Sequence, residues 1–169
     1  MDKRYFLIII IFILGCLCMF VVADSSDIIG SASVSFNGYS FSIPEGFTLM
    51  NTYDTSVLIN HPKTGLFVAI YTLDKNYNYG SVLNGLKNDS NNTILSEGII
   101  DIDNVHVSSL FYYGPSSKGD YNNRSIFFFN LFDSTFEVQM SNFNYENRNE
   151  IINTLTLIVE SLREDYKMK

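Results

Sequence analysis

The residues of this chain best suited to chemistry are two histidines, His61 and His106, and the carboxylates that lie just before the second. Asp101-Ile102-Asp103-Asn104 runs up to Val105-His106. Alternation along a strand would set Asp101 and Asp103 on one face beside a turn. Paired carboxylates can hold Ca²⁺ or act as acid and base, and with His106 they would make a hydrolase site. The spacing argues against each of these. A calcium loop continues with a Gly and a distal Glu in register, and this segment does not. Zinc asks for three or four ligands at matched spacing, and two histidines fall short. Asp and Asn are also what a turn selects. His61, before Pro62, is therefore expected as a polar loop residue and His106 as a sheet-surface residue. A hydrolase using Asp101, Asp103 or His106 is the alternative.

Other motifs carry less. Gly114-Pro115-Ser116-Ser117-Lys118-Gly119 has the flavour of a phosphate loop, but Lys precedes Gly and an aromatic strand follows where a helix is needed. No Gly-x-Ser-x-Gly elbow accompanies the many serines. Asn88, Asn91 and Asn123 begin glycosylation sequons, as often as chance would supply them in so Asn-, Ser- and Thr-rich a chain. No cofactor is called for. Residues 114–123 (GPSSKGDYNN) read as a flexible loop with Tyr112, Tyr113 and Tyr121 at its base. With Lys118 these tyrosines form the expected partner-contact site.

The elements that would position these residues are mostly strands. Val34-Ser35-Phe36 and Tyr39 to Ile43 alternate apolar and polar around Asn37-Gly38, the strongest short hairpin signal, and Pro44-Glu45-Gly46 ends the second run. Phe47-Thr48-Leu49 is a short extension. Ser56–Ile59 and Leu66–Leu73 follow, joined by a loop holding Pro62 and Gly65. Tyr79, Val82, Leu83 and Leu86 recur at helical spacing and predict a short helix over 78–88. Thr93–Ile102, Val105–Tyr113, Arg124–Phe132 and Thr135–Ser141 are further strands, with turns at Asp103-Asn104 and Asp133-Ser134. Ile151, Ile152, Leu155, Ile158, Val159 and Leu162 stripe a longer C-terminal helix, whose first turn holds Glu146 and Glu150. Strands, short helix, strands and long helix, with hairpin connections except across the short helix, predict an α+β domain with a mostly antiparallel sheet. Ser33–Ser42 alternates cleanly enough to leave one face solvated. Ile126-Phe127-Phe128-Phe129 is apolar on both faces and reads as a central strand.

The segment Phe36-Asn37-Gly38-Tyr39-Ser40-Phe41-Ser42-Ile43-Pro44-Glu45-Gly46-Phe47, set before an antiparallel sheet, a mid-chain helix and a C-terminal helix, resembles the PsbP/Mog1-like fold. The layout matches over residues 33–163 and the residue detail over 36–47. That family holds photosystem accessory proteins, a Ran-binding protein and bacterial envelope lipoproteins. The resemblance implies a non-enzymatic binding or accessory role and carries over no site residue.

Location is set by the first twenty-three residues. Met1-Asp2-Lys3-Arg4 precedes an uncharged run from Tyr5 to Ala23, and Asp24-Ser25-Ser26-Asp27 follows. Nineteen residues of helix span about 28 Å, one hydrocarbon core. Lys3 and Arg4 hold the N-terminus in the cytoplasm and send the remainder across. The run is a transmembrane anchor or a signal peptide cleaved after Val21-Val22-Ala23. Ile13-Leu14-Gly15-Cys16 resembles a lipobox, but apolar residues follow that cysteine. Residues 24–33 read as a tether and 34–165 as a single domain.

Of 169 residues, 11 are Lys or Arg and 18 Asp or Glu. The head holds two of the former and one of the latter, leaving the exported part at a net charge of −8. No basic patch offers itself to a phosphate backbone, so nucleic acid is not an expected partner. The membrane, met through the N-terminal helix, and another envelope protein are. Both cysteines, Cys16 and Cys18, lie in the head, so the domain must be held by its core without disulfides. Under the anchor reading, mass spectrometry of the membrane-fraction protein is expected to find the chain uncut beyond residue 23. An N-terminal peptide starting at Asp24 would overturn that reading.

Overall fold

A computed structural model describes residues 32–165. The apolar head, its lipobox and cleavage motifs, and residues 24–31 of the tether lie outside the described residues. Among the described residues the architecture is α+β, with ten strands in two antiparallel sheets and two α-helices. Among the described residues no helix is long and apolar enough to cross a membrane.

The first hairpin forms as its turn dictates. β1 (Ser33–Phe36) and β2 (Tyr39–Ser42) pair around Asn37 and Gly38, at φ +50° and +80°, the double positive φ that the tight turn needs. Val34, Phe36, Tyr39 and Phe41 are buried, and the intervening serines face outward. Pro44-Glu45-Gly46-Phe47 is a turn in which the Phe47 N–H donates to the Pro44 carbonyl at 3.1 Å, with Gly46 at φ +82°. That φ at the third turn position is why the motif wants glycine.

After this turn the chain enters a second sheet of seven strands. These are β3 (Thr48–Thr52), β4 (Ser56–Asn60), β5 (Phe67–Asp74), β6 (Thr93–Ile102), β7 (Val105–Pro115), β8 (Tyr121–Leu131) and β9 (Ser134–Phe143). Their spatial order is β3-β4-β5-β9-β8-β7-β6. Each neighbouring pair is a sequence-local hairpin except β5 with β9, which align from Phe67 opposite Ser141 to Asp74 opposite Ser134. The helix α1 (Tyr79–Asn88) carries the chain from β5 across to the far edge at β6. A 3₁₀ turn (Tyr145–Asn147) leads into α2 (Arg148–Ser161), and the two-residue strand β10 (Arg163–Glu164) returns to pair with β2.

The large sheet is covered differently on its two faces. On the inner face Val57, Val68, Ile70, Val107, Phe127, Phe129, Phe136 and Val138 pack with Ile151, Leu155, Ile158 and Val159 of α2 and with the first hairpin. On the outer face Leu110, Tyr112, Ile126 and Phe128 pack under Tyr79, Val82, Leu83 and Leu86 of α1. Ile126 to Phe129 are all buried, as a central strand requires. Tyr39 docks the first hairpin on β8 and β9. Its ring lies edge-on to Phe136 at 5.1 Å and stacks on Phe132 at 5.8 Å, and its hydroxyl is 2.9 Å from that of Ser134.

Four expectations need correction. The sheet is two sheets, because the type II turn at Gly46 redirects the chain after β2. Half of the ten-residue loop 114–123 is strand: Tyr113 to Pro115 pair with Tyr121 to Asn123, leaving 116–120 as the turn. The β8–β9 turn centres on Phe132-Asp133, with Phe132 at φ +54°, and Ser134 already pairs with Leu131. Its stack on Tyr39 holds Phe132 in a conformation costing about 1–3 kcal/mol. Asn123 sits in β8 and donates its amide to the Phe143 carbonyl at 2.9 Å, so that sequon is not in a loop.

Phe127 is fully buried at the centre of this packing. Phe127→Ala is expected to cost about 3–5 kcal/mol, read as a lowered urea midpoint. Ile99→Ala, on an exposed edge residue, should stay within about 0.5 kcal/mol.

Candidate functional site

The tyrosines of the expected contact site separate, because adjacent residues of a strand point to opposite faces. Tyr112 falls on the α1 side of β7 and is only 8% exposed. It helps to build the domain and does not reach the surface of the hairpin tip. Tyr113 and Tyr121 fall on the opposite side, 42% and 50% exposed, their ring centroids 5.8 Å apart. Lys118 sits in the turn beyond them, where its N–H donates to the Ser116 hydroxyl at 3.1 Å. Gly119 takes φ +89° there, and its N–H donates to the Ser116 carbonyl. The Arg124 guanidinium donates to the Pro115 carbonyl and ties the two strands beneath the tip. The result is a short, paired projection carrying two exposed aromatic rings and a cation.

The histidine and carboxylate candidates do not assemble. Asp101 and His106 face each other across β6 and β7, and His106 Nδ1 is hydrogen-bonded to the Asp101 carboxylate. Their side chains are 71% and 79% exposed. Asp103 does not share their strand face. It occupies the turn with Asn104, at φ +44° and +66°. His61 lies far along the chain in the β4–β5 loop, where its Nδ1 accepts from the Thr64 N–H at 3.2 Å and its ring stands edge-on to Phe47. Among the described residues no three His, Cys, Asp or Glu side chains converge as metal ligands would.

A further site appears on the outer face, and the sequence reading passed over it. The register aligns Ser56, Tyr71, Glu137, Phe128 and Ser108 in one row across β4, β5, β9, β8 and β7. Glu137 is only 8% exposed. Tyr71 stands on one side of it and Phe128 on the other, and the Gln139 amide donates to its Oε1. Tyr79 and Tyr77 stack on Phe128 at 5.2 and 6.4 Å. The segment bearing them is pinned by the Thr135 hydroxyl, which donates to the Lys75 carbonyl, and by the exposed Lys75–Asp133 pair at 2.6 Å. Among the described residues α1 packs on β7 and β8, with Leu73 of β5 joining that cluster, and Glu137 stands next to its Phe128.

Burial pushes the Glu137 carboxyl above the ordinary glutamate range, and the hydrogen bond from Gln139 draws it part of the way back. Burial, then the negative charge of Glu137, then Tyr53 push the Tyr71 phenol up. A strand reading Thr135-Phe136-Glu137-Val138-Gln139-Met140 looks like a solvated polar face alternating with a core face. The signal that could have found the site is its neighbour: a β8 strand apolar on both faces implies that the adjacent strand is also covered twice.

No protein-family model matches this chain, and no curated protein matches it in sequence. The described residues nonetheless form an α+β domain whose fold is shared by solved structures. A protein of Bacteroides thetaiotaomicron is similar at a TM-score of 0.52 and 14% identity, over 78% of this chain and 47% of the other. The chain thus spans about half the length of that protein. LpqN of Mycobacterium tuberculosis, involved in cell envelope biogenesis, is similar at 0.49 and 12%, over 78% and 88% of the two chains. Cyanobacterial PsbP from Synechocystis sp. PCC 6803 is similar at 0.45 and 14%, over 83% and 97%. At these identities the likeness is one of fold.

The shifted carboxyl yields a pH dependence. Folded Glu137 keeps its proton to higher pH than unfolded Glu137. Its contribution to stability is full below the unfolded value and is lost as pH rises through the raised one. Glu137→Gln removes that loss. The melting temperature of the variant minus that of the wild type is expected to grow as pH is raised from 4 to 8 in a thermal-melt series.

Proposed function

We propose that this protein is a membrane-tethered, extracytoplasmic accessory domain that binds another envelope protein through the β7–β8 hairpin tip and works by binding, not by catalysis. The observation that carries the reading is the exposed Tyr113–Tyr121 pair beside Lys118. Tyrosines are enriched at protein interfaces because they bury a large rigid surface while keeping a polar tip. Strand pairing up to Pro115 and Tyr121 holds the rings in place before a partner arrives, which lowers the ordering cost of association. The tether comes from the sequence: an uncharged run long enough to span a bilayer, preceded by Lys3 and Arg4 and followed by acids.

A pull-down of the tagged full-length protein from its native membrane, with mass spectrometry of what it retains, tests this reading. The wild type and a His106→Asn control are expected to retain the same envelope protein. The double variant Tyr113→Ser, Tyr121→Ser should retain at least about tenfold less of it, the effect of removing two interface anchors. Equal recovery by the double variant would overturn the hairpin-tip reading.

A further inference from the structure

The outer-face site has a feature that the hairpin-tip reading does not use. Glu137 is a residue more than nine-tenths buried, and the hydrogen bond to its carboxyl comes from a neutral amide. A buried carboxylate is costly unless a cation or several donors meet it. Among the described residues Lys75 pairs with Asp133, Lys87 with Glu97, and Arg124 donates to the Pro115 carbonyl. What surrounds Glu137 instead is aromatic. Tyr71 is directly across on β5, and Phe128, directly across on β8, carries the stacked rings of Tyr77 and Tyr79. Tyr77 is exposed and Tyr71 half-buried.

A carboxylate set among aromatic rings at the edge of a covered surface suits an organic cation. The carboxylate supplies charge and hydrogen-bond acceptance, and ring faces attract ammonium groups and cover an alkyl stem. Metal ions are poorly served, since a hard cation needs several oxygens. Hydrogen-bond acceptors at Glu137 and the Tyr71 hydroxyl favour an ammonium that keeps its N–H donors. The net charge of −7 draws cations towards the surface in general.

The geometry points to Glu137, Tyr71 and Tyr77 as a binding site for a primary alkylammonium group. Among the described residues, the titratable and charged groups around Glu137 are Tyr71 on β5 with Tyr53 near it, Tyr77 and Tyr79 stacked on Phe128, and the Lys75–Asp133 pair on the segment beside it. The site lies on the face opposite Tyr113 and Tyr121, so its failure would leave the hairpin-tip reading untouched.

The test uses the full-length chain in maltoside micelles, which lack ammonium headgroups. Glutamate carboxyl and tyrosine ring resonances are followed by NMR at pH 8. The ligand n-butylammonium chloride is titrated against matched sodium chloride and tetramethylammonium chloride. The ammonium salt is expected to move the Glu137 and Tyr71 signals saturably, with half-saturation at about 1–10 mM, the range open to so small a ligand. It should also lower the apparent pKa of Glu137 in the wild type, a readout that needs no variant. Glu137→Gln should weaken binding at least about tenfold while its remaining spectrum is unchanged. A parallel arm with Nα-acetyl-lysine methylamide separates the sources: tighter binding than butylammonium assigns the group to a lysine side chain, and equal binding assigns it to a free amine. No saturable shift up to about 100 mM, or equal shifts with sodium or tetramethylammonium, would overturn the proposal.

Discussion

The pairing of β5 with β9 is the constraint on which the remaining structure depends. Without it the chain would be two separate meanders, β3-β4-β5 and β6-β7-β8-β9, each with an open edge and neither with a closed core. Eight residue pairs join them, from Phe67–Ser141 to Asp74–Ser134. The same register places Val68 and Ile70 beside Phe136, Val138 and Met140 on the inner face, giving α2 a continuous apolar surface to cover. Closing the long loop between the two halves carries an entropic cost that grows only slowly with loop length, while each buried ring adds directly to the core.

The two faces of the sheet divide the work. The inner face is sealed by α2 and the first hairpin, and Tyr39 fixes that hairpin through its contacts with Phe132, Ser134 and Phe136. Among the described residues the ten-residue α1 covers the outer face over β7 and β8, with Leu73 of β5 joining that cluster. Where α1 stops, the surface becomes a mixture of half-buried tyrosine, glutamine and a carboxylate. A fully covered face would have no room for a ligand, and a fully open one would leave Glu137 in water with an ordinary charge. The hairpin tip is a third kind of surface, a projection whose rings are held by strand pairing and not by burial.

Local signals explain why so much of the layout was legible. Asn37-Gly38 and Asp103-Asn104 adopt the positive φ values their residue types favour. The spacing of Tyr79, Val82, Leu83 and Leu86 yields α1, and the Ile151 to Leu162 stripe yields α2. The misses have physical reasons as well. Gly114, Pro115 and Asn122-Asn123 carry loop propensity, yet long hairpin strands absorb them into the ladder. Gly114 is needed in the ladder for close approach, since a Cβ there would come within 2.2 Å of Asn92 Oδ1. Phe132 takes a positive φ that an aromatic residue avoids, because a ring from another sheet receives it. Asp101 and Asp103 part company because the turn claims the second.

The candidate sites divide along the same line. Composition and the order of short-range patterns are properties of the chain itself, so the sequence determined the α+β class, the hairpins, the two helices, the lack of cysteine beyond the head and the uncharged run at the N-terminus. Strand alternation alone could also have separated Tyr112 from Tyr113. Only the tertiary structure decided which strand lies beside which. A carboxylate at Glu137 reads as solvent-facing until β5 brings Tyr71 to one side of it and, on the other, Tyr77 just before α1 and Tyr79 at its start stack over Phe128. Burial is a sum over neighbours far apart in the chain, and no local pattern contains that sum.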